Sequence, residues 1–215
     1  MNASIQSNVK LGIPTDFPPN YISEIIKTYR TSHPNMHITI LQGNYKEILD
    51  WLKTRTVHLG FLPECLCKDT SSFSSKPLYQ EELVCATPKH FKPKHKNYIS
   101  LQDIQEESFI ALRGDQNPDI QNLFKQQEIA ILAANHASDY ISALSMVAAG
   151  LGLCIVPKTI IQHIDYDIDI YSFKPIEYKN IFICSLSKTS LSSGVKAMHS
   201  HIQKYFKDLF SVYSF

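Results

Sequence analysis

The stretch "LGIPTDFPP" at residues 11–19 is the first whose residue types suggest chemistry: an apolar run ends in Thr15-Asp16 and then meets Phe17 and two prolines. The pattern reads as a strand ending where a helix begins, with the prolines in the first helical turn. Thr15 and Asp16 then have two uses. One is to cap the helix with a side-chain oxygen. The other is to border a ligand held by the helix's unpaired N–H groups and the positive end of its dipole, a position that suits an anion. Asp16 would repel a simple anion, so either the ligand carries both signs or Asp16 turns outward.

Other candidate residues lead away from catalysis. Cys65-Leu66-Cys67 has a one-residue gap where zinc and redox pairs have two, and no second pair follows. His199-Ser-His201 lies in a helical pattern that sets the two rings about 200° apart, so they share no metal face and read as solvated histidines. Glu81-Glu82 and Glu106-Glu107 are adjacent, which on a strand sends them to opposite faces. There is no GxxxxGK[ST] loop and no GxSxG, and Gly150-Leu-Gly152 is too little for a dinucleotide fingerprint. No catalytic group, metal or cofactor is expected.

Bulk properties exclude further classes. Lys+Arg at 21 against Asp+Glu at 20 leaves a net charge of +1, far from the basic excess of a surface that neutralises many phosphates. No run approaches the roughly 18 apolar residues of a membrane span, and the polar N-terminus MNASIQSNVK lacks a secretory apolar core. Five cysteines, an odd number set mostly within apolar runs, read as reduced thiols in a cytoplasm.

The elements that must position any site alternate in period. Val9–Ile13 reads as a strand, Ile22, Ile25, Ile26 and Tyr29 as the buried stripe of a helix that Pro34 ends, and His37–Leu41 as a second strand closed by a turn at Gly43. Tyr45–Lys53 reads as a helix with Ile48, Leu49 and Leu52 inward, and Val57–Leu62 as a strand covered on both faces. A Ser-, Lys- and Asp-rich loop over 68–76 leads to a long strand, Leu78–Thr87, and a basic loop at 89–97. A second block follows: a short helix Leu101–Ile104, strand Ser108–Leu112, helix Pro118–Gln127, strand Ile131–Ala134, helix Tyr140–Ala149 and strand Leu153–Val156. Strands near Ile168–Phe173 and Lys179–Leu186 precede a closing helix striped by Val195, Met198, Ile202, Tyr205, Phe206 and Leu209. Two α/β blocks joined by long strands suggest two lobes with a cleft.

The most specific stretch is "SDYISALSMVAAGLGLCIVP" at 138–157: a helix capped by Ser138 or Asp139, stopped at Gly150, and turned at Gly152 into a covered strand that Pro157 closes. With "FKQQEIAILAANHASD", "PLYQEELVCATPKH", "ISLQDIQEESFIALR", "LGIPTDFPP", "YRTSHPNMHITILQGN" and "HLGFL" in the same order and spacing, residues 8–210 resemble the effector-binding domain of LysR-type transcriptional regulators. The chain departs from that family at Arg55-Thr56-Val57-His58, where relatives have a GxxD pattern. A left-handed arginine there would cost about 1 kcal/mol relative to glycine.

The resemblance implies an α/β fold of the periplasmic-binding-protein-like type 2, with two Rossmann-like lobes joined by two crossover strands: residues 1–84 with 186–215, and residues 85–185. It implies an effector cleft bordered by Thr15, Asp16 and Phe17; Gly43 and Asn44; Leu62 and Pro63; Arg113; and Ala137, Ser138 and Asp139. Each has a plainer use: Gly43 in a turn, Ser138 and Asp139 as helix caps, Arg113 in an ion pair with Asp115 or in solvent. Otherwise Arg113 clamps a carboxylate or phosphate bidentately. The expected function is sensing a small anionic or zwitterionic metabolite, whose binding reorients the lobes and biases a bistable oligomer. DNA would be contacted only through an N-terminal winged helix-turn-helix absent from these residues, and no membrane is involved. The expected assembly is a homodimer, becoming a tetramer when full-length. An extracytoplasmic solute-binding protein of a transporter is the alternative, which the thiols count against, and an enzyme on this fold would lack a catalytic constellation.

Overall fold

The apolar alternation of residues 9–13 forms strand β1 (Asn8–Pro14) in the computed structural model of the chain, which describes residues 8–67, 71–113, 117–162, 164–187 and 191–211. Helix α1 (Pro19–Ser32) buries Ile25 and Tyr29, and strand β2 (His37–Gly43) pairs parallel to β1 along its whole length, from Asn8↔His37 to Pro14↔Gly43. Helix α2 (Tyr45–Lys53) begins in a full capping box: Asn44 Oδ1 accepts the Glu47 N–H, and Glu47 accepts the Asn44 N–H in return. Strand β3 (Leu59–Pro63) is buried at all five residues and pairs parallel to β1. The short helix α3 (Glu64–Cys67) follows.

Strand β4 (Phe73–Pro88) starts inside the segment expected as a loop over 68–76, of which residues 68–70 lie outside the described residues. Then come β5 (Tyr98–Ile99), a 3₁₀ turn (Gln102–Glu106) where a short helix was expected, β6 (Phe109–Leu112), α4 (Pro118–Gln126), β7 (Ala133–Ala137) and α5 (Tyr140–Ala148). The chain closes with β8 (Cys154–Pro157), α6 (Lys158–Ile161), β9 (Ile168–Leu186) and α7 (Ser193–Ser211). One continuous strand of 19 residues, β9, stands where two were expected. The strand runs on through Pro175 and the polar residues around it, with Ile176 and Tyr178 about half exposed.

The chain divides into two compact units, one of the residues up to Tyr79 together with those from Asn180 onward, the other Gln80–Lys179. The strands β4 and β9 each carry the chain from one unit into the other. In the first unit the strand order is β2-β1-β3-β9, with β9 antiparallel to β3. Its core joins Val9, Leu11 and Ile13 to Ile25, Phe61, Met198, Ile202 and Phe206, so α1 and α7 cover one face of the sheet. The expected solvated His201 belongs to that seam instead: its Nε2 lies 3.1 Å from the Ile25 carbonyl and 3.0 Å from Thr28 Oγ1. A carbonyl only accepts, so Nε2 carries the proton and burial lowers the ring's pKa. In the second unit β6 and β7 pair parallel, β4 and β8 antiparallel.

The departure at Arg55–His58 has a clear form. Arg55 sits just past the α2 C-cap at φ 60°, the left-handed conformation in which glycine would be unstrained. His58 in turn replaces a side-chain anion with a ring: Nδ1 accepts the Lys10 backbone N–H at 3.0 Å, while the His58 backbone N–H donates to the Lys10 carbonyl at 2.9 Å. The two bonds fasten the entry to β3 against β1.

Candidate functional site

In the first unit the candidate residues gather where three parallel strands end. β1, β2 and β3 stop at Pro14, Gly43 and Pro63, and the Thr15 N–H donates to the Gly43 carbonyl at 3.1 Å, which ties the first two turns together. Carboxyl ends of strands in open α/β sheets are where ligands dock, because helix N-termini and free loop groups converge there. Thr15 is exposed and Asp16 half-buried. Neither caps α1, whose N-cap is Pro18 with no side-chain hydrogen bond. Asp16 instead accepts the Tyr45 hydroxyl at 2.9 and 3.0 Å, which turns its carboxylate toward α2 and engages it there.

The remaining first-unit candidates have structural partners as well. Phe17 is buried, its ring 4.6 Å from that of Phe61 and edge-on to Tyr21, Tyr79 and Phe206. Gly43 is the last residue of β2 rather than a separate turn; a Cβ there would come within 2.6 Å of the Trp51 ring and 2.7 Å of Glu47. Asn44 spends its side-chain oxygen on the capping box. Leu62 packs in the core beside Tyr45 and Ile48, and Pro63 is buried at the strand end.

The second unit repeats the arrangement on β6 and β7. The Arg113 N–H donates to the Ala137 carbonyl at 2.9 Å, so the turn after β6 and the turn after β7 are joined directly. Ala137 is buried, while Arg113, Ser138 and Asp139 are exposed. Asp139 is the N-cap of α5: it accepts the Ser142 N–H at 2.7 Å, along with the hydroxyls of Ser138 and Ser142. Those bonds hold its carboxyl below the usual carboxylate range. Asp115, the partner proposed for Arg113, lies outside the described residues.

Two pairs near this rim escaped the sequence reading. Tyr140, the first residue of α5, donates to Asn117 Oδ1 at 2.6 Å, and both side chains are buried. Lys179 is buried with its ammonium 3.8 Å from Asp119 Oδ2. A buried ammonium is costly unless paired, which makes this ion pair a constraint on the position of α4. A signal for Lys179 existed: Lys179, Ile181 and Ile183 alternate on one face of β9, and that face is the buried one.

The thiols match reduced, packed cysteines. All five are free, and Cys67, Cys85, Cys154 and Cys184 are buried. Burial pushes Cys154 up to about 12, and Cys85 is raised by burial as well. Among the described residues no group of three or more His, Cys, Asp or Glu could hold a metal, and no helix is long and apolar enough to cross a membrane.

Parallel strand ends facing helix N-termini, in two α/β units linked by two long strands, define the type 2 periplasmic-binding-protein-like fold. A model of the LysR substrate binding domain matches residues 2–207, and the chain belongs to that family. Among curated relatives, the transcriptional dual regulator GltC of Bacillus subtilis (strain 168) is 21% identical over 156 residues, 72% of this chain and 52% of its own length. The HTH-type transcriptional regulator DgcR of a Pseudoalteromonas species is 26% identical over 178 residues, 80% of this chain and 60% of its own. The chain thus spans a little over half the length of these relatives. Among solved structures, the effector binding domain of QuiR in complex with shikimate superposes with a TM-score of 0.83 at 22% identity, covering 94% of this chain and 98% of that one. The BenM effector binding domain with its effector benzoate gives 0.78 at 19% identity, covering 99% and 96%.

Proposed function

We propose that this chain is the effector-sensing part of a LysR-type transcriptional regulator, which binds a small anionic or zwitterionic metabolite and thereby controls DNA binding by the whole protein. The residues proposed to meet the effector are Thr15, Asp16, Phe17, Gly43, Asn44, Leu62 and Pro63 in the first unit, and Arg113, Ala137, Ser138 and Asp139 in the second. Phe17, Leu62 and Ala137 contribute by shaping the turns, since their side chains are buried. The observation that carries the reading is the exposed Arg113 guanidinium on a turn bonded to the turn that starts α5, where backbone N–H groups and a positive helix end favour an anion. The named neighbours are bound to shikimate and benzoate, both small carboxylates.

DNA contact would then be made by a winged helix-turn-helix outside these residues. The protein would work in the cytoplasm as a dimer through this domain and as a tetramer when full-length. Effector binding shifts the population of conformations that the DNA-binding part senses. The test is thermal unfolding of the chain with benzoate, shikimate and related small carboxylates. A ligand at about 100 times its Kd adds ~2.7 kcal/mol of stability, and Arg113→Ala should abolish that gain. A ligand that stabilises Arg113→Ala as strongly as wild type removes Arg113 from the site.

A further inference from the structure

The second unit contains a cavity of about 150 Å³ that none of the proposed effector residues lines. It lies under α4, against β6, β7 and the start of α5. It is partly open to solvent, so a small molecule can reach it. Its walls are mostly apolar, Phe109 and Leu112 from β6, Ile120 and Phe124 from α4 and Ala143 from α5, with Gln121 of α4 also lining it. Among the described residues its lining has no Asp, Glu, Lys, Arg or His. An ion entering it would lose its hydration with nothing to replace it, and a neutral guest would not.

Two buried polar groups give the cavity a chemical preference. Asn117 is 7% exposed and Tyr140 4%, and both line it. Asn117 Oδ1 accepts the Tyr140 hydroxyl, while the Asn117 amide nitrogen donates to no described residue. That leaves the Asn117 amide as the donor at this pocket from which a guest's hydroxyl oxygen can accept. The volume is enough for a single-ring molecule.

We propose that this cavity is a second ligand site, distinct from the anionic effector's, which takes a neutral single-ring molecule bearing one hydroxyl, the ring against Phe109, Ile120 and Phe124 and the hydroxyl oxygen on Asn117. The lining touches the proposed effector site by sequence: Leu112 precedes Arg113, and Tyr140 follows Asp139. A guest that braces α4 and the start of α5 therefore also braces both turns of the second unit, which couples the two sites.

The experiment uses the chain of residues 1–215 with ¹³C-methyl isoleucine and phenol as probe. Ile110, Ile120 and Ile155 line the cavity, whereas Ile13, Ile25 and Ile183 lie in the first unit's core and act as internal controls. Phenol should shift the first three methyls saturably and leave the controls in place, and Arg113→Ala should bind phenol as wild type does. Ala143→Leu, which fills the cavity from α5, should weaken phenol by at least about tenfold. Equal or non-saturating shifts in both sets of methyls would overturn the proposal, because phenol would then be acting as a general apolar cosolvent. Loss of phenol binding in Arg113→Ala would overturn it too, by assigning phenol to the effector's site. Should Ala143→Leu fail to fold, the methyl pattern of the wild type and the Arg113→Ala comparison decide the matter alone.

Discussion

His58→Asn should remove one source of acid sensitivity without weakening the protein at neutral pH. The His58 ring accepts the Lys10 N–H through Nδ1, so protonating Nδ1 destroys the acceptor and places a second positive charge near Lys10. Burial, and then the Lys10 charge, lower the ring's pKa below its ordinary 6.5 in the folded chain. The unfolded chain therefore binds the proton first, and by linkage stability rises with pH across this window. The contribution of His58 is complete above pH 6.5 and is lost as the pH falls through the lower folded-state value. Leaving a partly buried backbone N–H unpaired costs about 1–3 kcal/mol, and the half-buried setting of His58 points to the lower part of that range. Asparagine puts a carbonyl oxygen where Nδ1 stands and accepts at every pH. Urea unfolding followed by fluorescence of the chain's single tryptophan, Trp51, reports the unit that contains His58. At about pH 8 the two proteins should agree within roughly 0.5 kcal/mol, and at about pH 5 His58→Asn should be the more stable by about 1–2 kcal/mol. His199 and His201 are also lowered by burial, and their acid sensitivity is common to both proteins and cancels in the difference. Identical pH slopes for wild type and His58→Asn would refute the reasoning.

Other outcomes follow from single backbone positions. Arg55→Gly relieves a left-handed residue at φ 60° and should stabilise the first unit by up to about 1 kcal/mol, partly offset by the greater freedom of glycine in the unfolded chain; a lower urea midpoint would contradict the assignment. Gly150 and Gly152 both have positive φ but differ in space: a Cβ on Gly150 meets nothing within 4 Å, whereas one on Gly152 falls 2.4 Å from the Ser108 carbonyl oxygen. Gly150→Ala should therefore cost about 1 kcal/mol and Gly152→Ala about 3 kcal/mol or more, so their thermal midpoints should separate clearly, and equal midpoints would count against the tight β8 entry.

Much of this fold is legible along the chain because its signals are local. Tyr45–Lys53 is a helix at both ends as read, since the Asn44 and Glu47 capping box and the Ile48–Leu52 stripe are all short-range features. The same holds for the helix, glycines and strand of 138–157, where positive φ at Gly150 and Gly152 falls where the pattern places the stop and the sharp turn. β9 is one strand where two were expected because pairing with several neighbours, which no local pattern contains, decides whether a strand continues. His201 was assigned to solvent because helical spacing says nothing about which helix lies opposite; the carbonyl of Ile25 on α1 decides its role.

The sequence by itself determined the alternation of strands and helices in two α/β blocks and carried the family resemblance, because period, capping and glycine placement act within a few residues. Only the tertiary structure decided what the turns between these elements are bonded to. Asp16 is engaged by Tyr45, the Arg113 backbone is fastened to Ala137, Lys179 is buried beside Asp119, and α4 stands off β6 far enough to leave a cavity. Each is a contact between residues distant in the chain, set by how side-chain volumes fill the space between elements, a quantity that no local pattern contains.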